Sequence, residues 1–101
     1  MPKFTIEHTS SHDAKEAFKK IKTFLDKDED IQRFDAKLKS EFDDETMTGS
    51  IKGSQFKANI IVQAAADGSK IQIMVDLPLL LTPFKGKVQE TLQKKLSKYL
   101  A

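Results

Sequence analysis

Apolar and polar positions alternate at the start of the chain and then change period. Phe4, Ile6 and His8 alternate with Lys3, Thr5 and Glu7. A period of two predicts a strand with one buried face. Ser10 or Ser11 offers a helix N-cap, with Asp13 well placed in the first turn. Ala14, Ala17, Phe18, Ile21, Phe24 and Leu25 then recur at three- and four-residue spacing. That spacing predicts a helix with one apolar stripe. Lys15, Lys19, Lys20 and Lys22 lie mostly off the stripe. Asp26 to Asp30 brings carboxylates to the end of this helix, where they oppose its dipole. Ile31 and Phe34 fit either a continued helix after a break or a separate short turn.

The period of two returns in the middle of the chain. Leu38, Ser40 and Phe42 predict a second strand, and Asp43-Asp44-Glu45 a turn. Met47, Gly49 and Ile51 predict the inner face of a third strand. Gly53-Ser54 reads as a tight hairpin turn. Phe56, Ala58, Ile60, Val62 and Ala64 then predict a fourth strand, and Asp67-Gly68 the next turn. Ile71, Ile73, Val75 and Leu77 predict a fifth, ended by Pro78, which cannot donate to a ladder. Thr82-Pro83 predicts a helix start with Thr82 as N-cap. Phe84, Val88, Leu92, Leu96, Tyr99 and Leu100 mark its stripe. The expectation is one α+β domain over 1–101. It consists of a strand, a helix, an antiparallel meander of about four strands and a helix. Both helices would lie on one face of a twisted antiparallel sheet.

Composition narrows the function classes. The chain has 101 residues, 39% hydrophobic and 32% charged, which suits one modest core. It has no cysteine, hence no disulfide, thiolate metal site or cysteine nucleophile. The opening Met-Pro-Lys-Phe-Thr-Ile-Glu lacks the apolar run of a signal peptide. Leu77–Leu81 is too short for a transmembrane segment. A cytoplasmic protein is the expectation. Net charge is +2 but unevenly spread. Residues 1–50 carry 9 Lys/Arg and 12 Asp/Glu, and residues 51–101 carry 8 and 3. The C-terminal half either meets an anionic partner or complements the rest of the fold.

Candidate chemistry is thin. His8 and His12 are four apart near Glu7 and Asp13, across a predicted strand end and helix start. The plain reading is a half-buried strand residue and an exposed first-turn residue. Asp26, Asp28 and Asp30 match the first three ligand positions of an EF-hand loop. The match fails at Ile31, where glycine is needed, and at Lys37, where a bidentate Glu is needed. Gly86-Lys87 lacks the frame of a phosphate loop. No Gly-x-Ser-x-Gly elbow occurs. Neither an enzyme nor a bound cofactor or metal is expected.

Two non-catalytic features stand out. Lys85, Lys87, Lys94, Lys95 and Lys98 surround the stripe of the last helix, with Glu90 as its one acidic residue. Such a helix suits nucleic acid, anionic lipid or an acidic surface, or simply covers a core with snorkelling lysines. Nucleic acid is disfavoured, because no aromatic platform interleaves with the lysines. The second feature is the apolar connection holding Leu79, Leu80, Leu81 and Phe84, beside Lys85 and Lys87. Strand-to-helix connections are normally polar. These six residues form the candidate contact site, if the leucines do not close the core instead. Ile61 and Met74, on the predicted polar face, offer a homodimer contact.

The stretch from Val75 to Val88, reading VDLPLLLTPFKGKV, resembles the polyhydroxyalkanoic acid system family. Its members are also described as polyhydroxyalkanoate granule regulatory proteins. The opening Met1-Pro2-Lys3 with Ile6-Glu7 is similar to the start of that family, while the acidic region from Asp26 to Ala36 departs from it. The resemblance implies a small bacterial cytoplasmic protein linked to carbon-storage granules, and brings no catalytic residues. The partners it implies are a granule surface or a granule-associated protein. The element order also resembles a reduced helix-grip arrangement, whose larger forms enclose apolar ligands. The leading expectation is therefore a non-catalytic accessory or binding protein. The alternatives are a homodimeric scaffold and a small apolar-ligand-binding module.

Overall fold

The computed structural model describes residues 3–33, 37–54, 56–77 and 83–100, with side chains at all of these except 26, 30 and 31. Strand β1 (Lys3–Ser10) leads into helix α1 (Ala14–Lys27) and a one-turn helix α2 (Glu29–Gln32). Strands β2 (Lys39–Asp43), β3 (Thr48–Lys52), β4 (Lys57–Ala65) and β5 (Gly68–Asp76) follow, and helix α3 (Lys85–Tyr99) ends the fold. The five strands form one antiparallel sheet in the order β1-β5-β4-β3-β2. The meander contributes four strands, and β1 adds a fifth at the edge beside β5.

The alternation in the sequence becomes two distinct faces. Ile6 lies opposite Ile73, which lies opposite Ile60. Ile71 lies opposite Val62, and Val75 opposite Ala58. All of these are buried under Phe18, Ile21, Phe24 and Leu25 of α1 and Val88, Leu92 and Leu96 of α3. Both helices therefore cover one face, as the pattern predicts. The opposite face is mainly polar, as in the row of Thr5, Asn59 and Ser50, which Met74 interrupts. Ala64, predicted to face inward, is exposed near the end of β4.

Where sequence and structure differ, local geometry explains it. Ser10 is the last residue of β1, paired with Ser69 and buried, so the strand overruns the predicted N-cap. Asp13 takes the capping role, its Oδ1 accepting the Glu16 N–H at 2.8 Å. Asp13→Ala should lower stability by about 1 kcal/mol in urea denaturation, and Asp13→Asn by far less. The same cap loss from both substitutions would rule this hydrogen bond out as the cause.

The predicted Gly53-Ser54 turn is a longer loop over 53–56, closed by the Gly53 N–H donating to Phe56 O at 2.8 Å. Phe56 thus leaves the strand but stays buried in the core. Met47 lies in the turn after β2 with φ of +52°, not within β3. The chain breaks helix at Asp28, whose extended backbone caps α1 before α2 begins. This decides the 26–33 region in favour of a separate turn of helix. Thr82 lies outside the described residues. Pro83 and Phe84 form a short 3₁₀ turn that leads into α3 without a side-chain cap.

Two turns brace each other. Ser69 Oγ donates to His12 O at 2.9 Å, and the His12 N–H donates to Ser10 Oγ at 3.1 Å. Gly68, with φ of +146°, brings its Cα so close to Ser10 that a Cβ would stand 2.0 Å from Ser10 O. The other end of the helix layer is tied to β1, where His8 Nε2 lies 3.2 Å from Leu100 O.

Candidate functional site

α3 sits over the core on the Val88, Leu92, Leu96 and Leu100 stripe, which leaves its remaining faces free of core packing. Along nearly its whole length runs a groove of about 630 Å³. Phe56, Leu77 and Val88 give the groove an apolar floor, and Phe84 closes one end. Arg33, Lys87, Lys94, Lys95 and Lys98 stand around it. The floor is apolar because it is the margin of the core itself. The lysines stand at the rim because their stems cover apolar surface while their ammonium groups reach water.

The rim cations are not equivalent. Lys95 Nζ lies 3.0 Å from Asp28 Oδ2, and this pair is largely buried, with side-chain exposures of 17% and 4%. Tyr99 Oη donates to the same carboxylate oxygen at 3.3 Å. Tyr99 in turn stacks on Phe24, with ring centres 5.1 Å apart. Lys95 and Tyr99 thus fasten α3 to the end of α1. Lys94 Nζ lies 3.0 Å from Glu90 Oε1 one turn earlier, in an exposed pair. Such pairs constrain a side chain little. Lys98 lies over the Tyr99 ring at 5.4 Å. Lys87 has no ion-pair or ring partner among the described residues.

Of the six residues picked from the sequence, Leu79, Leu80 and Leu81 lie outside the described residues. The structure places the other three at the start of α3. Phe84 is 54% exposed, although the sequence stripe counts it with the core positions. The reason is its position in the 3₁₀ turn, one step before the helix phase that buries Val88. Lys85 Nζ lies over the Phe4 ring at 5.5 Å, on the side toward β1. Lys87 faces the groove. Phe84 and Lys87 thus share one site, while Lys85 belongs to its flank.

Phe56 and Arg33 were not legible as site residues. They come from the β3–β4 loop and from the turn after α2, remote in sequence from α3. A large apolar residue just after Gly53-Ser54 is the one local hint for Phe56.

The histidines stand apart from this groove. His8 is half-buried on the inner face of β1, held at the Leu100 carbonyl. His12 Nδ1 lies 3.5 Å from Glu16 Oε1 at the start of α1. The acidic stretch is used structurally in part, since Asp28 is the buried partner of Lys95 and Tyr99. Among the described residues, no group of three potential metal-ligating side chains comes together. No described helix is long and apolar enough to cross a membrane.

With the fold and groove defined, comparison with known proteins assigns the chain. Its sequence matches the family described as "Putative polyhydroxyalkanoic acid system protein" over residues 4–100. The chain belongs to this polyhydroxyalkanoic acid system family. The match spans nearly the whole fold. No curated protein matches the sequence. Among solved structures, the fold is similar to TTHA0849 from Thermus thermophilus, with a TM-score of 0.59 at 11% identity. The similarity covers 97% of this chain and 88% of that one. At this identity the likeness speaks for the shared arrangement of sheet and helices alone.

Proposed function

We propose that the protein is a non-catalytic accessory module that contacts polyhydroxyalkanoate storage granules in the bacterial cytoplasm through the groove beside α3. Family membership points to the polymer system, and the groove supplies a surface suited to it. The observation that carries the reading is the pairing of an apolar floor with an ammonium rim. A polyhydroxyalkanoate presents alkyl groups and ester carbonyls in alternation. Phe56, Leu77, Val88 and the exposed Phe84 match the alkyl groups. Lysine ammonium groups, Lys87 first among them, are donors for the carbonyls. Leu79, Leu80 and Leu81, which precede Phe84 in the sequence, are included in the proposed contact on their apolar character alone.

The test is sedimentation of the protein with lipid-free poly(3-hydroxybutyrate) particles. Phe84→Ser combined with Lys87→Glu should weaken association about tenfold or more, the equivalent of roughly 1.4 kcal/mol. Phe84 and Lys87 are exposed, so the melting temperature should scarcely move. Undiminished association of this variant would remove the groove from the proposal. A small apolar ligand in the same groove is the other outcome, read by mass spectrometry of the natively purified protein. A homodimer through the outer face is less well supported. Met74, 38% exposed, and half-buried Ile61 lie diagonally on an otherwise polar face. Two apolar side chains fall far short of the roughly 800 Å² per partner of a stable interface.

A further inference from the structure

The two long helices carry charge out of proportion to the rest of the chain. Together α1 and α3 hold ten lysines against Glu16, Asp26 and Glu90, a net of +7. The whole protein carries +2, so everything else sums to −5. Both helices lie on one face of the sheet, which gathers this excess into one layer. Lys15, Lys19 and Lys27 of α1 and Lys87, Lys94 and Lys98 of α3 are all exposed there.

The layer is continuous across the helix pair. A second cleft, along α1, is lined by Lys15, Lys19, Lys20 and Lys27 against Asp13, Glu16 and Asp28, with Tyr99 beside them. Lys95 and Lys98, adjacent to that seam, line the groove on the far side of α3. The Asp28–Lys95 pair neutralises a largely buried carboxylate between the two basic strips. At one end stands Phe84, with Lys85 and Lys87 beside it.

We propose that this helical layer docks on an anionic phospholipid surface, with lysines at the headgroup phosphates and Phe84 entering the interface. Charge complementarity names the sign of the partner, and two further observations name its class. An exposed aromatic ring among lysines is suited to a headgroup boundary. The cations carried by α1 and α3 are all lysines, which act as point charges without the bidentate fork that reads base edges; Arg33, at the groove rim, comes from the turn after α2. Tyr99, the aromatic residue central to the layer, is stacked on Phe24 and offers no free ring face pair for bases. The proposal does not rest on polymer binding, since it needs no polyester.

The test is sedimentation of the full chain with vesicles at about 0.1 M salt, where charge is felt over about 10 Å. Binding is expected to vesicles of phosphatidylglycerol and phosphatidylcholine in equal parts, and not to phosphatidylcholine alone. Each lysine near an anionic surface contributes about fivefold in affinity, so K19Q with K98Q should weaken binding about 30-fold. K52Q with K57Q removes the same charge from the outer face of the sheet and should weaken it by about twofold at most. Equal loss from the two pairs, or equal binding to both kinds of vesicle, would overturn the proposal. Displacement from the vesicles by an equimolar single-stranded RNA would also overturn it and assign the layer to nucleic acid. Failure here is separable from failure of granule binding, because the polyester particles hold no phospholipid.

Discussion

Gly68→Ala should lower the stability of this protein by about 3 kcal/mol, the larger part of it from backbone. At φ of +146° an L side chain is strained by roughly 1–3 kcal/mol. The new Cβ would also stand 2.0 Å from Ser10 O and 2.9 Å from two backbone atoms of Ser11. Neither neighbour is a flexible side chain that swings away. Ser10 is locked in its pairing with Ser69, and the following turn is held by the Ser69 hydroxyl on His12 O. Relief therefore requires parting the end of β1 from the β4–β5 turn. The smaller entropy of the unfolded alanine chain returns less than about 1 kcal/mol. In a domain of this size, a loss of 3 kcal/mol lowers the melting midpoint by roughly 12–24 °C. Gly86→Ala provides the opposite sign, since nothing lies within 4 Å of its added methyl and it sits in the first turn of α3. It should raise stability by up to about 1 kcal/mol. Thermal melts of the two variants that nearly coincide would refute the close approach at Gly68.

Lys95→Met should cost about 2–4 kcal/mol, a large effect for one lysine. The Asp28 side chain is 4% exposed, and the substitution takes away the ammonium 3.0 Å from its Oδ2. A buried carboxylate that loses a cation keeps its desolvation cost without the matching attraction. Tyr99 still donates to that oxygen, which limits the loss. The diagnostic measurement is a double-mutant cycle with Asp28→Asn in urea. If the pair is the cause, the double variant should be more stable than the sum of the single losses implies, by about 1–2 kcal/mol. Strict additivity would mean that Lys95 acts through its aliphatic stem alone.

These two expectations show where sequence reading succeeds and where it stops. The sheet was legible because Ile6, Ile60, Ile73 and their neighbours obey a strict period of two, and one face of an antiparallel sheet needs nothing more. The two long helices were legible from their stripes for the same reason. Boundaries were less so. Ser10 and Ser11 are chemically as good an N-cap as Asp13, and only the pairing of Ser10 with Ser69 moves the helix start downstream. Gly53-Ser54 has turn chemistry, yet the register of Lys52 with Lys57 makes the loop four residues long. The site was half legible. The apolar corner and the basic helix could be read locally. The floor from Phe56, the Asp28–Lys95 link across 67 positions and the gathering of lysines from α1 and α3 into one layer are products of tertiary structure. No local pattern encodes them. Asp28 illustrates this best. In sequence it belongs to a failed calcium loop, and in the fold it anchors the last helix.

The edge position of β1 has a consequence for the order of events during synthesis. Its one partner strand among the described residues begins at Gly68 and pairs with it as far as Lys3 opposite Asp76. The neighbouring hairpins of β2 to β5 close over short loops. At about 5–20 residues per second, β1 emerges from the ribosome roughly 3–15 s before its partner is complete. During that interval it is an unpaired strand with Phe4 and Ile6 on one side, open to the wrong neighbour. Lys3 and Glu7 on its other side supply charge against such pairing. The nascent chain thus passes through a stage in which a half-charged strand waits for the far end of the sheet to arrive.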